Sequence, residues 1–515
     1  MNRHPEKTNK SQHRRPMAVG DWFGLACLIL FGVCSLILLV RLLTTKMLTS
    51  SLVLVLVIAL VILNGLHLFV QLPRWKNLLP KFICGAVAIL LSGAMIYTAS
   101  AAGGVQAALQ SLSGKLTEKE TTYVIVMKDD PARDIGDMQS YRFGTLSHMD
   151  QKNTEALMKA IKDGLGKIKN TPYDNAVDLA DSLYSKKVDA IALNEGYISM
   201  LEDVKGYEDF SQRTRIIYEF TTEHAQKPIT PNSKITTDPF VVYCSGIDAR
   251  NKNVNIKSLS DVNILAVVHP VSHQILLINT PRDYYVPLVS APYAGMRDKL
   301  THAGGIGIEE SAKVLGQLYN VEASYYMRVN FLGLVDIVDA LDGIDVNSDY
   351  TFSCHAMGPT TGYGDLTPYS FQKGINHMNG YEALAFCRER HSFSGGDNQR
   401  GKNQMSVISG IVDKVTSPEI LTRYDELLEA VKDCVATNMP YEDISNLVQM
   451  QMRDKGDWNI TSYAVTGRGD FQQCPTMGAY DLWVMWPNEN DIDTAKNLIQ
   501  QVMNGQEPVI PKADN

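Results

Sequence analysis

Three long apolar runs near the N-terminus constrain the fold more than any other feature of this chain. They cover residues 22–40, 47–70 and 82 to about 102, and none contains a charged residue. Each is close to the ~20 residues that an α-helix needs to cross ~30 Å of hydrocarbon. A secretory signal peptide has a shorter apolar core and does not explain three successive runs, which leaves buried core helices as the alternative. We therefore predict a cytoplasmic tail at 1–21 and three transmembrane helices within 22–104.

Basic residues flank these runs unevenly. Those ahead of the first run are Arg3, Lys7, Lys10, Arg14 and Arg15, and those around the loop between the second and third runs are Arg74, Lys76 and Lys81. The other short loop has only Arg41 and Lys46. Because loops rich in Lys and Arg stay on the cytoplasmic side, the pattern predicts a cytoplasmic N-terminus. Three crossings then place the residues beyond about 105 on the outer face of the cell membrane, and the protein is multi-pass.

Charge and cysteine content limit the function of the outer part. A net charge of −8 and a pI near 5.8 argue against nucleic acid as a partner, because phosphates require a basic surface. The cysteines beyond the apolar runs are Cys244, Cys354, Cys387, Cys434 and Cys474. Outside the cell disulfides persist, and because these cysteines number five, at least one stays free or pairs between chains. Within the chain we predict that Cys434 pairs with Cys474. No CxxC or Cys/His spacing indicates zinc.

The outer part has two regions in which strand and helix patterns alternate. In residues 116–230, TYVIVM and VDAIALN read as strands, and NTEALMKAIKDGLGKI and EGYISMLEDV read as helices. A proline-containing linker, KPITPNSKITTDP, follows. Residues 238–505 alternate again, from the strand PFVVYCSGI to a final helix near 491–503. The pattern predicts a small accessory α/β domain and then a larger layered α/β domain rather than a β-sandwich.

The segment FCRERHSFSGGDNQRGKNQ concentrates charge in a chain that is only 20% charged. Arg388 and Arg390 are two apart and would share one face if they lie on a strand. Asp397 follows Ser-Gly-Gly at a predicted helix entrance, where we expect it to cap the helix. Arg400 and Gln404 then fall on the same helical stripe as Asp397. Clustered arginines at a helix N-terminus favour an anion such as phosphate, and a surface ion-pair network is the alternative.

Further charged residues stand where predicted strands begin or end. Asp248 ends one strand in GIDAR, Asp261 begins another in LSDVNIL, and Arg282 and Asp283 follow a third in NTPRDYYV. Ligands of open α/β sheets collect at the carboxyl ends of strands. Two carboxylates near a phosphate indicate Mg²⁺, although each aspartate alone is also typical of a turn or cap.

These motifs together resemble the LytR–CpsA–Psr family of cell-wall phosphotransferases. GIDAR, SDVNIL, NTPRD, DKLTHA, LDGIDV and RERHSFSGGDNQRGKNQ occur in the family's order over about 240–505. The resemblance implies an α/β/α catalytic domain with a central mixed sheet. It implies that Arg282, Arg388, Arg390 and Arg400 bind the pyrophosphate of a polyprenyl-linked substrate. Asp248 and Asp261 match the Mg²⁺ ligands.

The resemblance also assigns smaller roles and shows two departures. Asp397, Asp283, Gln404 and, with weaker support, Lys299 match further residues of the family's site. Leu259 stands where many members have a basic residue, and Asn403 replaces a commoner arginine.

The implied reaction transfers a glycopolymer from a polyprenyl-pyrophosphate carrier to peptidoglycan. In the family the 6-hydroxyl of N-acetylmuramic acid attacks and polyprenyl phosphate leaves, with Asp397 or Asp283 as the candidate base. The polymer is teichoic acid, capsule or another wall polysaccharide. Two alternatives use the same site: a pyrophosphatase in which water replaces the sugar acceptor, and a sensor that binds lipid pyrophosphate without turnover.

Overall fold

The protein was analysed as a computed structural model of the full chain. It describes residues 19–46, 48–72, 78–112, 117–225, 231–247, 254, 257–358, 366–417, 427, 430–432 and 434–511. The chain divides into two compact units, one ending at Ala107 and the other beginning at Ala108.

The first unit contains three long apolar helices. They are α1 (Val19–Thr45), α2 (Ser50–Gln71) and α3 (Leu79–Leu112). All three have the length and hydropathy to cross a membrane. Most of their large apolar side chains face outward, as lipid-facing residues do, and small clusters such as Phe31, Cys34 and Leu60 pack inside.

One ion pair links two of these helices. Lys81 at the start of α3 is fully buried, and its Nζ lies 2.6 Å from Oδ1 of Asp21 in the first turn of α1. Because a charge without a partner is costly in an apolar bundle, this pair fixes the two helix ends together.

The second unit contains the remaining elements. Its helices are α4 (Gln151–Leu165), α5 (Ala176–Tyr184), α6 (Glu195–Glu202), α7 (Phe210–Arg213), α8 (Leu300–Ile306), α9 (Ile308–Tyr319), α10 (Phe331–Ala340), α11 (Gly380–Arg388), α12 (Asp397–Thr416), α13 (Tyr441–Asp454) and α14 (Glu489–Met503). Its strands are β1 (Thr117–Met127), β2 (Arg142–Leu146), β3 (Lys169–Tyr173), β4 (Ala190–Asn194), β5 (Thr214–Ala225), β6 (Phe240–Ile247), β7 (Ser260–His269), β8 (Gln274–Asn279), β9 (Tyr285–Pro287), β10 (Arg297–Lys299), β11 (Tyr325–Asn330), β12 (Ile344–Ser348), β13 (Phe352–Met357), β14 (Leu366–Phe371), β15 (Gly374–Met378), β16 (Val435–Thr437), β17 (Asn459–Ala464), β18 (Gly467–Gln473) and β19 (Asp481–Pro487).

The accessory domain is built on a five-stranded sheet. Its strand order is β3-β2-β4-β1-β5, with β2 parallel to β3 and β4, and β1 antiparallel to β4 and β5. Val124 and Val126 of β1 face one side of the sheet and pack with Leu157 and Ile161 of α4. Ile125 faces the other side and joins the core that continues into the catalytic domain.

The catalytic domain is built on a six-stranded mixed sheet of order β16-β11-β6-β7-β8-β17. Side chains alternate along each central strand, so Tyr243 packs on one face and Val242 on the other. On the first face α8, α9 and α14 cover the sheet, and on the second face α12 and α13 cover it. The predicted α/β/α layers with a central mixed sheet are therefore confirmed, as are the three apolar helices and the α/β accessory domain.

The predicted disulfide is wrong. Cys434 and Cys474 are both buried, and they do not form a disulfide with each other. Cys434 lies beside β16, and its Sγ is 2.8 Å from the carbonyl oxygen of Ala430, whereas Cys474 follows β18 and faces Asp298. The two thiols lie in different surroundings. The number of cysteines in the sequence does not indicate which thiols approach one another.

Candidate active site at the carboxyl edge of the central sheet

The direction of the strands brings the predicted residues to one edge of the sheet. β6 is parallel to β11, and β8 is parallel to β17, while β7 runs against both of its neighbours. Ile247 at the end of β6 pairs with Ser260 at the start of β7 and with Asn330 at the end of β11. Asp261 therefore lies at the same edge as Arg282, which follows β8, and this is the edge where α/β proteins bind ligands.

Arg282 is the centre of the charge cluster at this edge. Its Nη1 lies 2.5 Å from Oδ1 of Asp261, and its Nη2 lies 2.5 Å from Oδ2 of Asp203 in the accessory domain. The Arg282 and Asp261 side chains are each 16% exposed. Burial alone would lower the pKa of Arg282, but Asp261, Asp203 and two further aspartates outweigh it and raise that pKa. Arg282 is therefore a permanently charged hydrogen-bond donor at the carboxyl edge of the central sheet.

Lys299 and Asp283 form a second ion pair next to Arg282. Nζ of Lys299 lies 3.0 Å from Oδ1 of Asp283. Lys299 ends β10, which pairs with β9, and the next turn is tied back because Thr301 donates its backbone N–H to the Arg282 carbonyl at 2.8 Å. The structure therefore brings the weakly supported Lys299 into the same charge cluster as Arg282.

A buried network that the sequence did not suggest supports Lys299. The fully buried Asp298 accepts hydrogen bonds from the Lys299 backbone, from the backbone and hydroxyl of Thr476, and lies 2.7 Å from Nδ1 of His302. Burial alone would raise the pKa of Asp298, but His302 and the Thr476 hydrogen bonds outweigh it and lower that pKa. Asp298 and Thr476 are 178 positions apart in the chain. The network is therefore visible only in the folded structure, where the segment DKLTH contacts the segment CPT.

Asp298, His302 and the thiol of Cys474 are close enough together to satisfy the geometry of a metal site. Both oxygens of Asp298 are already engaged by the chain itself. The group is therefore a structural network beneath Lys299.

The start of α12 brings Asp397 and Arg400 to the same edge. Nη2 of Arg400 lies 2.5 Å from Oδ1 of Asp397, and Asp397 is among the carboxylates that act on Arg282. Gly401 makes this approach possible, since a Cβ there would lie 2.1 Å from Nδ2 of Asn279 at the end of β8. One expectation was wrong: Asp397 is the first residue of α12 and makes no capping bond, and Gly396 occupies the cap at φ 49°.

Arg388 and Arg390 do not lie on a strand, so the predicted shared face is wrong. Arg388 is the last residue of α11, and Arg390 follows in the loop. The guanidinium carbon of Arg388 lies 4.8 Å from the ring centroid of Phe331, directly after β11, and Nε of Arg390 lies 3.4 Å from Nε2 of His391. Both side chains are exposed. The contact with Phe331 places Arg388 at the ligand-binding edge, and its role in pyrophosphate binding stays a prediction.

Two amides connect α11 to α12. Nε2 of the buried Gln404 lies 3.4 Å from the Cys387 carbonyl oxygen, and Nδ2 of Asn403 lies 3.2 Å from that of Phe386. Asn403 stands where the family more commonly has arginine, and its short amide side chain fits this buried contact between the two helices. A role for Gln404 in substrate binding stays a prediction.

Of the two predicted metal ligands, Asp248 and Asp261, the structure describes one. Asp248 lies outside the described residues. Asp261 is described, and a carboxylate at this edge is a ligand type that Mg²⁺ accepts together with substrate oxygens. The departure at Leu259 is buried in the core, where a basic side chain would have no solvent.

Comparison with known proteins identifies the family. The LytR_cpsA_psr family model matches residues 207–494. A protein of Enterococcus faecalis named polyisoprenyl-teichoic acid–peptidoglycan teichoic acid transferase TagU is 32% identical over 244 residues, which cover 47% of this chain and 75% of that protein. The Bacillus subtilis protein of the same name is 30% identical over 219 residues, covering 42% of this chain and 65% of that protein.

Solved structures show lower similarity over the same region. Bacillus subtilis TagV is 22% identical with a TM-score of 0.42, and it covers 52% of this chain and 98% of that structure. TagT bound to LIIa-WTA is 23% identical with a TM-score of 0.40, covering 54% of this chain and 94% of that structure. The family model, which spans more than half of the chain, and the Enterococcus relative show that this chain belongs to the LytR–CpsA–Psr family.

Proposed function

We propose that this protein transfers a glycopolymer of the teichoic acid class from a polyprenyl-pyrophosphate carrier onto peptidoglycan. The observation that carries the proposal is the arrangement around Arg282, in which three cations, Arg282, Lys299 and Arg400, meet at the carboxyl edge of the sheet. The names of the relatives support the substrate class, since both are named as teichoic acid transferases. We further propose that the N-terminus is cytoplasmic and that the three helices place the site on the outer face.

The chain's own residues account for most of the chemistry. An acceptor hydroxyl oxygen bonds to the phosphorus that carries the glycan, the bond to the bridging oxygen breaks, and polyprenyl phosphate leaves with the electron pair. Arg282 and Arg400, with the exposed Arg388 and Arg390, bind the phosphoryl oxygens and stabilise the charge that develops on them. Arg282 and Arg400 are held in position before substrate binds, because carboxylates pair with both and helix packing supports them.

The hydroxyl proton passes to a carboxylate. Asp397 and Asp283 both lie within the cluster, where Asp397 is paired with Arg400 and Asp283 with Lys299. The two single amide variants, Asp397→Asn and Asp283→Asn, separate them, since loss of the base lowers kcat while leaving substrate binding largely intact.

Mg²⁺ would be held by Asp261 and Asp248 together with substrate oxygens. When bound, it would neutralise charge on the pyrophosphate and polarise the phosphoryl group. Chelation should therefore abolish transfer, and added Mg²⁺ should restore it.

The test uses the full chain in detergent, a polyprenyl-pyrophosphate-linked glycan, Mg²⁺ and peptidoglycan oligomers, with mass spectrometry of the products. We expect a phosphodiester-linked conjugate that is lost in Arg282→Ala and in Arg388→Ala. Arg453→Ala is the matched control, because Arg453 is an exposed arginine at the end of α13 that pairs only locally with Asp454. Full activity in both site variants would contradict the proposal, and release of free glycan phosphate alone would show hydrolysis instead.

A further inference from the structure

The accessory domain contributes a carboxylate to the candidate active site. Asp203 directly follows α6, and its Oδ2 lies 2.5 Å from Nη2 of Arg282, a residue 79 positions later in the chain. The other charged residues of the site come from the catalytic domain. Asp203 is therefore the point at which the accessory domain acts on the arginine proposed to bind pyrophosphate.

Close packing holds α6 in this position. A Cβ on Gly196 would lie 2.7 Å from the carbonyl oxygen of Lys257, and one on Gly305 of α8 would lie 2.8 Å from Sδ of Met200. Both contacts join the two domains, so neither glycine tolerates a side chain without movement. The main chain that carries Asp203 is thus fixed relative to the segment that leads into Asp261.

Two ion pairs made by Lys257 strengthen the contact between the accessory domain and the catalytic domain. Nζ of Lys257 lies 3.0 Å from Oε2 of Glu120 and 3.3 Å from Oδ1 of Asp150, and both acids belong to the accessory domain. All three side chains are largely buried, so solvent screens the pairs only weakly. Asp203 therefore reaches Arg282 from an anchored domain.

The two carboxylates on Arg282 differ in exposure. The Asp261 side chain is 16% exposed, whereas that of Asp203, which contacts Nη2, is 38% exposed. A phosphate binds arginine best through two adjacent N–H groups. An anion that arrives from solvent must take the position of the more exposed carboxylate, which is Asp203.

The charge balance supports the same conclusion. Lys299 is paired with Asp283, and Arg400 is paired with Asp397. Arg282 has two carboxylate partners, Asp261 and Asp203, so Asp203 adds a second negative charge next to the arginine that would bind the anion. A phosphate ligand must displace this carboxylate from Arg282, and a ligand that contacts fewer of the other cations gains less binding energy to offset that displacement.

We propose that Asp203 is a gating residue that holds Arg282 in the empty site and is displaced by the pyrophosphate of the substrate. This inference rests on the proposed function and extends it to the order of binding and release. A pyrophosphate contacts several cations and displaces Asp203. The monophosphate product contacts fewer cations, so Asp203 regains Arg282 and promotes release of polyprenyl phosphate.

Binding of short soluble ligands tests the proposal directly. Geranyl pyrophosphate and geranyl phosphate are titrated by calorimetry into the full chain in detergent. We expect Asp203→Asn to bind both ligands about 3- to 10-fold more tightly, because the competing charge is gone. Asp203→Glu, which keeps the charge, should behave like the unchanged protein.

Asp209→Asn is the matched control. Asp209 is an aspartate of the same domain, 53% exposed, and its ion-pair partner is Arg213 rather than a residue of the site. We expect the affinity of this variant to be unchanged. Weaker or unchanged binding in Asp203→Asn would overturn the proposal, since it would mean that Asp203 only anchors Arg282.

The outcome is separable from that of the proposed function. Geranyl ligands need neither an acceptor nor a polymer, so a protein that binds them but transfers nothing refutes transfer while the effect of Asp203 is still measured. If neither the unchanged protein nor Asp203→Asn binds either ligand, the gating proposal is overturned. In a working transfer assay, Asp203→Asn should lower KM and increase inhibition by added polyprenyl phosphate, which a purely structural role would not produce.

Discussion

Arg282→Ala should destabilise the second unit of the chain, whereas Arg388→Ala should not, although both should abolish transfer. Removing one partner of a buried ion pair costs about 3–5 kcal/mol, and an exposed pair contributes about 0–1 kcal/mol. Arg282 and Asp261 are each 16% exposed, so their pair falls between these limits, while Asp203 at 38% adds little. We expect Arg282→Ala to lower the free energy of unfolding by about 2–4 kcal/mol.

Arg388 provides the contrast because its side chain is exposed at the end of α11. The described contact over the Phe331 ring at 4.8 Å is worth about 0.5–1 kcal/mol at an exposed site. Because the Arg388 side chain is exposed, Arg388→Ala should retain nearly the full stability of the second unit. A difference between the two variants in stability but not in activity would separate the structural role of Arg282 from its role in catalysis.

The assay is hydrogen exchange of the β7 and β8 amides, followed by mass spectrometry on the full chain in detergent at increasing urea. Exchange at these strands reports opening of the second unit without interference from the apolar helices of the first. Arg282→Ala is measured alone and in an Asp261→Asn background, where the uncompensated carboxylate is already gone. We expect a coupling of about 1–3 kcal/mol between the two changes. Equal losses in both backgrounds, or an equally large loss in Arg388→Ala, would refute the assignment of the ion pair as a stabilising contact.

Three further predictions follow from individual contacts. Because folding lowers the pKa of Asp298, its contribution to stability is present above about pH 4 and is lost as the pH falls through the folded-state pKa. Asp298→Asn should therefore be less stable than the unchanged protein at neutral pH and should lose less of its free energy of unfolding on acidification, as measured by urea unfolding at each pH. An identical loss of stability in acid would contradict this. Asn379 forms a capping box at the start of α11, so Asn379→Ala should cost about 1 kcal/mol in the same exchange assay, and no change would show that the cap is dispensable. Lys81→Ala should lower the thermal stability of the apolar helices in detergent, and adding Asp21→Asn should restore part of it by removing the unpaired carboxylate; no recovery would argue against the ion pair.

Patterns that depend on neighbouring residues were readable from the sequence. The three apolar runs predicted α1 to α3, and alternation or helical spacing predicted β1, β6 and α14 within a few residues. The arginines and aspartates at predicted strand ends also pointed to one sheet edge, because strand direction in an α/β sheet brings such ends together. Arg388 and Arg390 were the local failure, since a two-residue spacing fits a strand face but here spans the end of a helix and a loop.

Contacts between distant segments were decided only by the tertiary structure. The Asp298 network with Thr476 and the pairing of Asp203 with Arg282 each join segments that no local pattern relates. The separate surroundings of the Cys434 and Cys474 thiols likewise depend on the tertiary structure. The sequence by itself determined which segments are apolar, helical or charged, because those properties arise from residues a few positions apart. Which carboxylate neutralises which arginine depends on how two α/β domains pack, and the packing of α6 against the segment before Asp261 is what places an accessory-domain aspartate on Arg282.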